Sequence, residues 1–153
     1  MRIAMEIPIA FGILFGLFWS RRTGWNCGGL ITPGILALHA DTPVSCFYSL
    51  LLGVILAPIL HILVQRKSLY VRERIGVAIL LALAARSLSL QLFPLVSAAI
   101  PLWLGWAVPG LIAADIERQG VFITLAGAVS AAVAAVFATS IVSEFWTFVI
   151  ALY

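Results

Sequence analysis

Arg86 lies within the apolar run 75–93, near its middle. A charge at the centre of a helix in lipid costs at least about 2.5 kcal/mol, so its presence calls for a reason. One reason is contact with an anionic substrate or with a carboxylate such as Glu6. The other is structural, a guanidinium that snorkels to an interface or sits in a fixed pair. Both stay open from the sequence. His61, close to the end of the run 44–64, and Glu144 read as interfacial groups. Asp115, Glu117 and Arg118 follow a Pro-Gly step and are expected on a polar rim, either as a solvated loop or as a docking surface. Phosphate-loop, zinc-helix, nucleophile-elbow and dinucleotide motifs are absent from the sequence, so any ATP chemistry belongs to a partner.

The strongest pattern is a duplicated break. Gly29-Leu30-Ile31-Thr32-Pro33-Gly34-Ile35-Leu36-Ala37 recurs 76 residues later as Gly105-Trp106-Ala107-Val108-Pro109-Gly110-Leu111-Ile112-Ala113. An acidic residue follows at the same step, Asp41 in one copy and Glu117 in the other. Proline removes a backbone donor and crowds the preceding turn, and glycine admits unusual dihedrals. Backbone that leaves helical geometry within a membrane must be satisfied by protein or water. Paired broken segments in two halves point to a translocation or binding centre. Pro33, Gly34, Pro109 and Gly110, with Arg86, are therefore the candidate path residues.

These residues need elements to position them, and the composition says which. The chain is 63% hydrophobic and 10% charged, with a mean hydropathy of +1.16. Soluble domains carry roughly 45–50% apolar and about 25% charged residues. A chain this short cannot hide that much apolar surface in one core. The expected class is an all-α polytopic integral membrane protein. Continuous spans are expected over 3–20, 44–64, 75–93 and 121–142, each near the roughly 20 residues a bilayer requires, with apolar character continuing to Tyr153 apart from Glu144. The stretches 24–43 and 97–120 are apolar but broken. The offset that aligns the breaks lays 44–64 on 120–140 and 3–20 near 79–96. One membrane domain, 1–153, then consists of two related units, about 3–67 and 75–151. Glu6 and Arg21-Arg22 argue that the first span is retained and not a cleaved leader. Cys27 and Cys46 form no metal or redox motif, and Cys46 reads as a small buried side chain.

Charge suggests a topology. If each broken stretch crosses, Arg21-Arg22, the connector from Arg66 to Arg74, and Arg118 share one side, which the positive-inside rule makes cytoplasmic. Each unit then crosses three times, and the units are inverted repeats. If the breaks are re-entrant, four spans remain and Arg21-Arg22 fall outside. Small residues four apart, Gly12 and Gly16 in the first span and Gly127, Ala131 and Ala135 in the last, predict close helix packing, within the chain or between copies.

The segment Val108-Pro109-Gly110-Leu111-Ile112-Ala113, continuing through Ile116, Arg118, Gln119 and Gly120, resembles the membrane subunit of poly-γ-glutamate synthase, the PgsC/CapC family. Thr23-Gly24, Gly29-Leu30, Pro33-Gly34 and Leu38 add to the likeness, which extends over essentially the whole chain. The resemblance implies a bacterial cytoplasmic-membrane protein acting with a cytosolic Mur-ligase-like partner. That partner would hold ATP and Mg and form an acyl phosphate and an amide bond, with no cofactor in this chain. It also implies an extracytoplasmic accessory subunit and a role in polymerising and exporting a polyanionic γ-glutamyl chain. Arg21, Arg22, Asp115, Glu117, Arg118 and Gln119 are then candidate contacts for the partner or the polyanion. Two alternatives are a stand-alone inverted-repeat transporter or channel, and a structural anchor for the ligase.

Overall fold

The structure is a computed structural model that describes residues 2–67, 70–92 and 107–151. Its described residues form six helices and no strand: α1 (Arg2–Thr23), α2 (Thr32–Leu38), α3 (Pro43–Lys67), α4 (Val71–Leu92), α5 (Ala107–Gln119) and α6 (Val121–Ala151). The first part of the second broken stretch, 97–106, with Gly105 and Trp106, lies outside the described residues. Among the described residues, two helices are long and apolar enough to cross a membrane, α3 over Pro43–Arg66 and α6 over Val121–Phe145. Large apolar side chains stand exposed along both, including Phe47, Ile55, Ile62, Phe122, Phe137 and Ile141.

Helix partners are reciprocal. α1 packs on α2 and α6, while α4 packs on α5 and α3; α2 also packs on α6, and α5 on α3. Glycine permits the closest of these approaches. A Cβ on Gly12 would stand 2.1 Å from the Cα of Gly34, and one on Gly34 would stand 2.9 Å from the Cα of Ile9. Gly16 faces Pro33 and the carbonyl of Leu30. The Gly12/Gly16 face is thus used within the chain, against α2. On the other pair, a Cβ on Gly110 would stand 2.8 Å from the carbonyl oxygen of Ala78 and 3.0 Å from the Cα of Ile79. Each Pro-Gly step therefore lies against the backbone of a long helix. The small stripe of α6 is also internal, with Gly127, Ala128, Ala131 and Ala135 buried.

The main apolar core joins α3, α4 and α5 through Leu56, Leu60, Val64, Ala78, Ala82, Val108, Ile112 and Ile116. α5 ends at Gly120, whose φ of +96° suits glycine and terminates the helix in a left-handed turn. Its N–H returns to the carbonyl of Ile116 at 2.9 Å, and α6 begins at the next residue.

Candidate functional site

The connection from α1 to α2, residues 24–31, has little regular backbone pairing, and side chains of α5 supply partners. Asp115 accepts from Asn26 Nδ2 at 3.1 Å and from the backbone N–H of Gly29 at 2.8 Å. One turn further on, Gln119 Oε1 accepts from the N–H of Asn26 at 2.9 Å. The Nε2 of Gln119 donates to the carbonyl of Asn26 at 2.5 Å and to Thr124 Oγ1 at 3.0 Å. Thr124 in turn donates to the carbonyl of Gly120 at 2.9 Å. Asp115 and Gln119 are four apart and share a face of α5, so one helix stripe holds the loop. Inside the loop, Thr32 Oγ1 donates to the carbonyl of Gly28.

Beside this clasp the two broken segments touch. Gly28 and Gly29 have φ of +73° and +86°. A Cβ on Gly28 would stand 2.8 Å from Ile112 Cγ1, and one on Gly29 3.3 Å from Leu111 Cδ1. The residues just before Pro33 thus pack on those just after Pro109-Gly110. All four candidate path residues of the breaks, Pro33, Gly34, Pro109 and Gly110, are buried.

Glu117 forms a second polar centre on the neighbouring face. Its side chain is 7% exposed and bridges Arg74 Nη1 at 3.1 Å and His61 Nδ1 at 3.4 Å. The amide of Gln65 donates to His61 Nε2 at 2.8 Å. The ends of α3, α4 and α5 are tied together here.

These contacts define one basic end of the bundle. Ser20, next to Arg21, lines the same cavity as Asp115 and Arg118, and Arg74 is bound to Glu117. Arg21, Arg22 and Arg118 are exposed, and among the described residues they make no ion pair. Asp115, Glu117 and Arg118, the expected rim residues, lie on helix α5 and not on a loop; Asp115 and Glu117 have partners within the chain, and Arg118 is exposed. The first broken stretch runs to the opposite end. Leu38, Ala40 and Asp41 line a cavity with Pro8, Thr139 and Ser143, and Thr139 lies about 27 Å along α6 from its start. Arg86 is partly buried on α4, and Glu6 is exposed on α1.

Asn26 and Thr124 escaped the sequence reading, as did the pairing of Glu117 with Arg74 and His61. Asn26 is 89 residues from Asp115, and no periodicity links them. One local signal was present, a polar Asn beside Cys27-Gly28-Gly29 in an otherwise apolar stretch.

Comparison with known proteins identifies relatives. The family described as Capsule biosynthesis CapC matches residues 11–125. The Capsule biosynthesis protein CapC of Bacillus anthracis is 30% identical over 124 residues, covering 79% of this chain and 83% of the relative. The PGA biosynthesis protein CapC of Bacillus subtilis (strain 168) is 30% identical over 123 residues, covering 78% and 83% respectively. No solved structure matches the chain.

Proposed function

This chain belongs to the capsule biosynthesis CapC family, and we propose that it is the membrane subunit of a poly-γ-glutamate synthase and export complex. It sits in the bacterial cytoplasmic membrane as a multi-pass protein of two inverted repeats, about 3–67 and 75–151. A cytosolic Mur-ligase-like subunit supplies ATP, Mg and amide-bond formation, and an extracytoplasmic subunit receives the product. This chain carries the polyanionic polymer across the membrane.

The observation that carries this reading is the course of the first broken stretch. It starts in the clasp at the basic end, touches the second broken segment at Gly28–Ile112, and ends beside Pro8 and Thr139 at the other end. A backbone following that course crosses a bilayer of about 30 Å, which favours six crossing segments over four. The reciprocal packing of α1, α2 and α6 against α4, α5 and α3 supports the repeat. Its register is not uniform. Gly34 meets Ile9 and Gly110 meets Ile79, so the first helices correspond at an offset of 70 where the breaks correspond at 76.

In this mechanism Arg21, Arg22 and Arg118 meet the polyanion or the ligase on the cytoplasmic face through charge-assisted contacts. The polymer passes where the two Pro-Gly segments part, and Arg86 offsets charge along the way. Co-purification from membranes tests the assembly: the ligase subunit should be retained by the tagged chain, and an Arg21→Gln/Arg22→Gln/Arg118→Gln variant should retain less of it or make less polymer. A stand-alone transporter would retain no ligase.

A further inference from the structure

A cavity of about 210 Å³ opens at the basic end between α1, the 24–31 loop and α5. Liquid water occupies about 30 Å³ per molecule, so there is room for a group of several heavy atoms. Gly16, Leu30 and Leu111 form apolar wall, and the polar lining includes Ser20, Asp115 and Arg118. Asp115 and Arg118 are one turn apart, a spacing that places them side by side on α5. Their charges are opposite, yet the ion pairs formed among the described residues join Glu117 to Arg74 and His61, not Asp115 to Arg118. Asp115 is 8% exposed. A carboxylate has about four acceptor positions, and Asn26 Nδ2 and the Gly29 N–H take two of them. Arg118 is exposed, with its guanidinium free to grip a carboxylate in a bidentate fork.

We propose that this cavity binds an α-amino acid head group, with the ammonium on Asp115 and the carboxylate on Arg118. The inference rests on the proposed γ-glutamyl substrate and specifies which part of it is held. In a γ-linked polymer every residue keeps its α-carboxylate, but only the amino end keeps both charged groups on one carbon. A free glutamate monomer has the same head. The site therefore distinguishes an incoming monomer or a chain's amino end from the interior of the polymer, which carries carboxylates and amides but no ammonium.

The test is equilibrium binding to the full-length chain in lipid nanodiscs, using glutamate, γ-glutamyl-glutamate and N-acetyl-γ-glutamyl-glutamate. Saturable binding of the first or second is expected, with N-acetylation weakening the dipeptide at least about tenfold, as loss of a charge-assisted contact implies. Tighter binding of glutamate assigns the site to the monomer, and tighter binding of the dipeptide assigns it to the chain end; both support the proposal. Arg118→Gln should weaken binding at least about tenfold, with Arg118→Lys intermediate because a point charge replaces the fork. Arg118 is exposed, so these variants leave the fold in place. Asp115→Asn, shown to fold by its unfolding transition, should abolish the discrimination against the acetylated end. Equal binding of free and acetylated dipeptide, an unchanged Arg118→Gln, or no binding by the wild-type chain would each overturn the proposal. The result is separable from the parent reading, because dependence of polymer formation on the chain is measured independently and can survive loss of this site.

Discussion

Gln119 holds Asn26 by both backbone groups, its carboxamide accepting from the Asn26 N–H at 2.9 Å and donating to the Asn26 carbonyl at 2.5 Å. A side chain of the second half here does for the first half's loop what a neighbouring strand would do. Gln119→Ala leaves both groups short of a partner in a partly buried site, at a cost of about 1–3 kcal/mol. Gln119→Glu should cost at least as much, since a carboxylate oxygen replaces the donor that faces the carbonyl. Unfolding in detergent micelles checks both variants, and stability within about 0.5 kcal/mol of wild type would contradict the clasp.

The glycine contacts make a graded series. Gly12→Ala and Gly34→Ala place a methyl against backbone at 2.1 Å and 2.9 Å, which no side-chain rotation can relieve. Both should strongly destabilise α1–α2 packing, by several kcal/mol where a single overpacked methylene typically costs about 1–3 kcal/mol. Gly16→Ala meets its nearest atom at 3.5 Å, an ordinary contact, and should be mild. Gly76→Ala has nothing within 4 Å and should be neutral or stabilising, by up to about 1 kcal/mol from helix propensity. Equal effects at all four positions in a thermal-unfolding series would refute this packing.

Glu117 binds Arg74 while nearly buried, so the pair should be coupled beyond what exposed ion pairs show. A double-mutant cycle with Arg74→Gln and Glu117→Gln should return a coupling of about 0.5–3 kcal/mol. His61→Ala should remove less, because the His61 side chain is 52% exposed against 32% for Arg74. Additive single effects would show that Glu117 does not depend on Arg74.

Much of this architecture is readable from residue order alone, for physical reasons. Apolar runs give helices because lipid-length helices must be apolar, so the expected 44–64 and 75–93 agree closely with α3 and α4. The Pro-Gly steps stand out because proline and glycine have few other uses inside such runs. The clasp is invisible because hydrogen bonds between Asn26 and Asp115 depend on which helices pack, and no periodicity encodes that. The spacing of Asp115 and Gln119 shows that they share a face but not what faces them. The offset of 76 aligns the two Pro-Gly steps, while the residues that Gly34 and Gly110 meet, Ile9 and Ile79, are 70 apart, since the chain between long helix and break is longer in the second half.

The crossing of the first broken stretch has its own test. In a chain with Cys27 and Cys46 replaced by Ala, single cysteines at Arg22→Cys and Arg118→Cys should both react with an impermeant maleimide only from the cytoplasmic side. Labelling of both from the outer side would establish the re-entrant arrangement instead.

The central claim is that this chain is required for making and moving a γ-glutamyl polymer. It is tested most directly in membrane vesicles containing the ligase subunit, by measuring ATP-dependent incorporation of labelled glutamate into γ-linked polymer and its transfer across the membrane, with and without this chain. The expected result is polymer formed and translocated only when the chain is present, with transfer lost in a folded Pro33/Pro109 variant that still retains the ligase. Equal polymer formation and transfer without the chain would contradict the account.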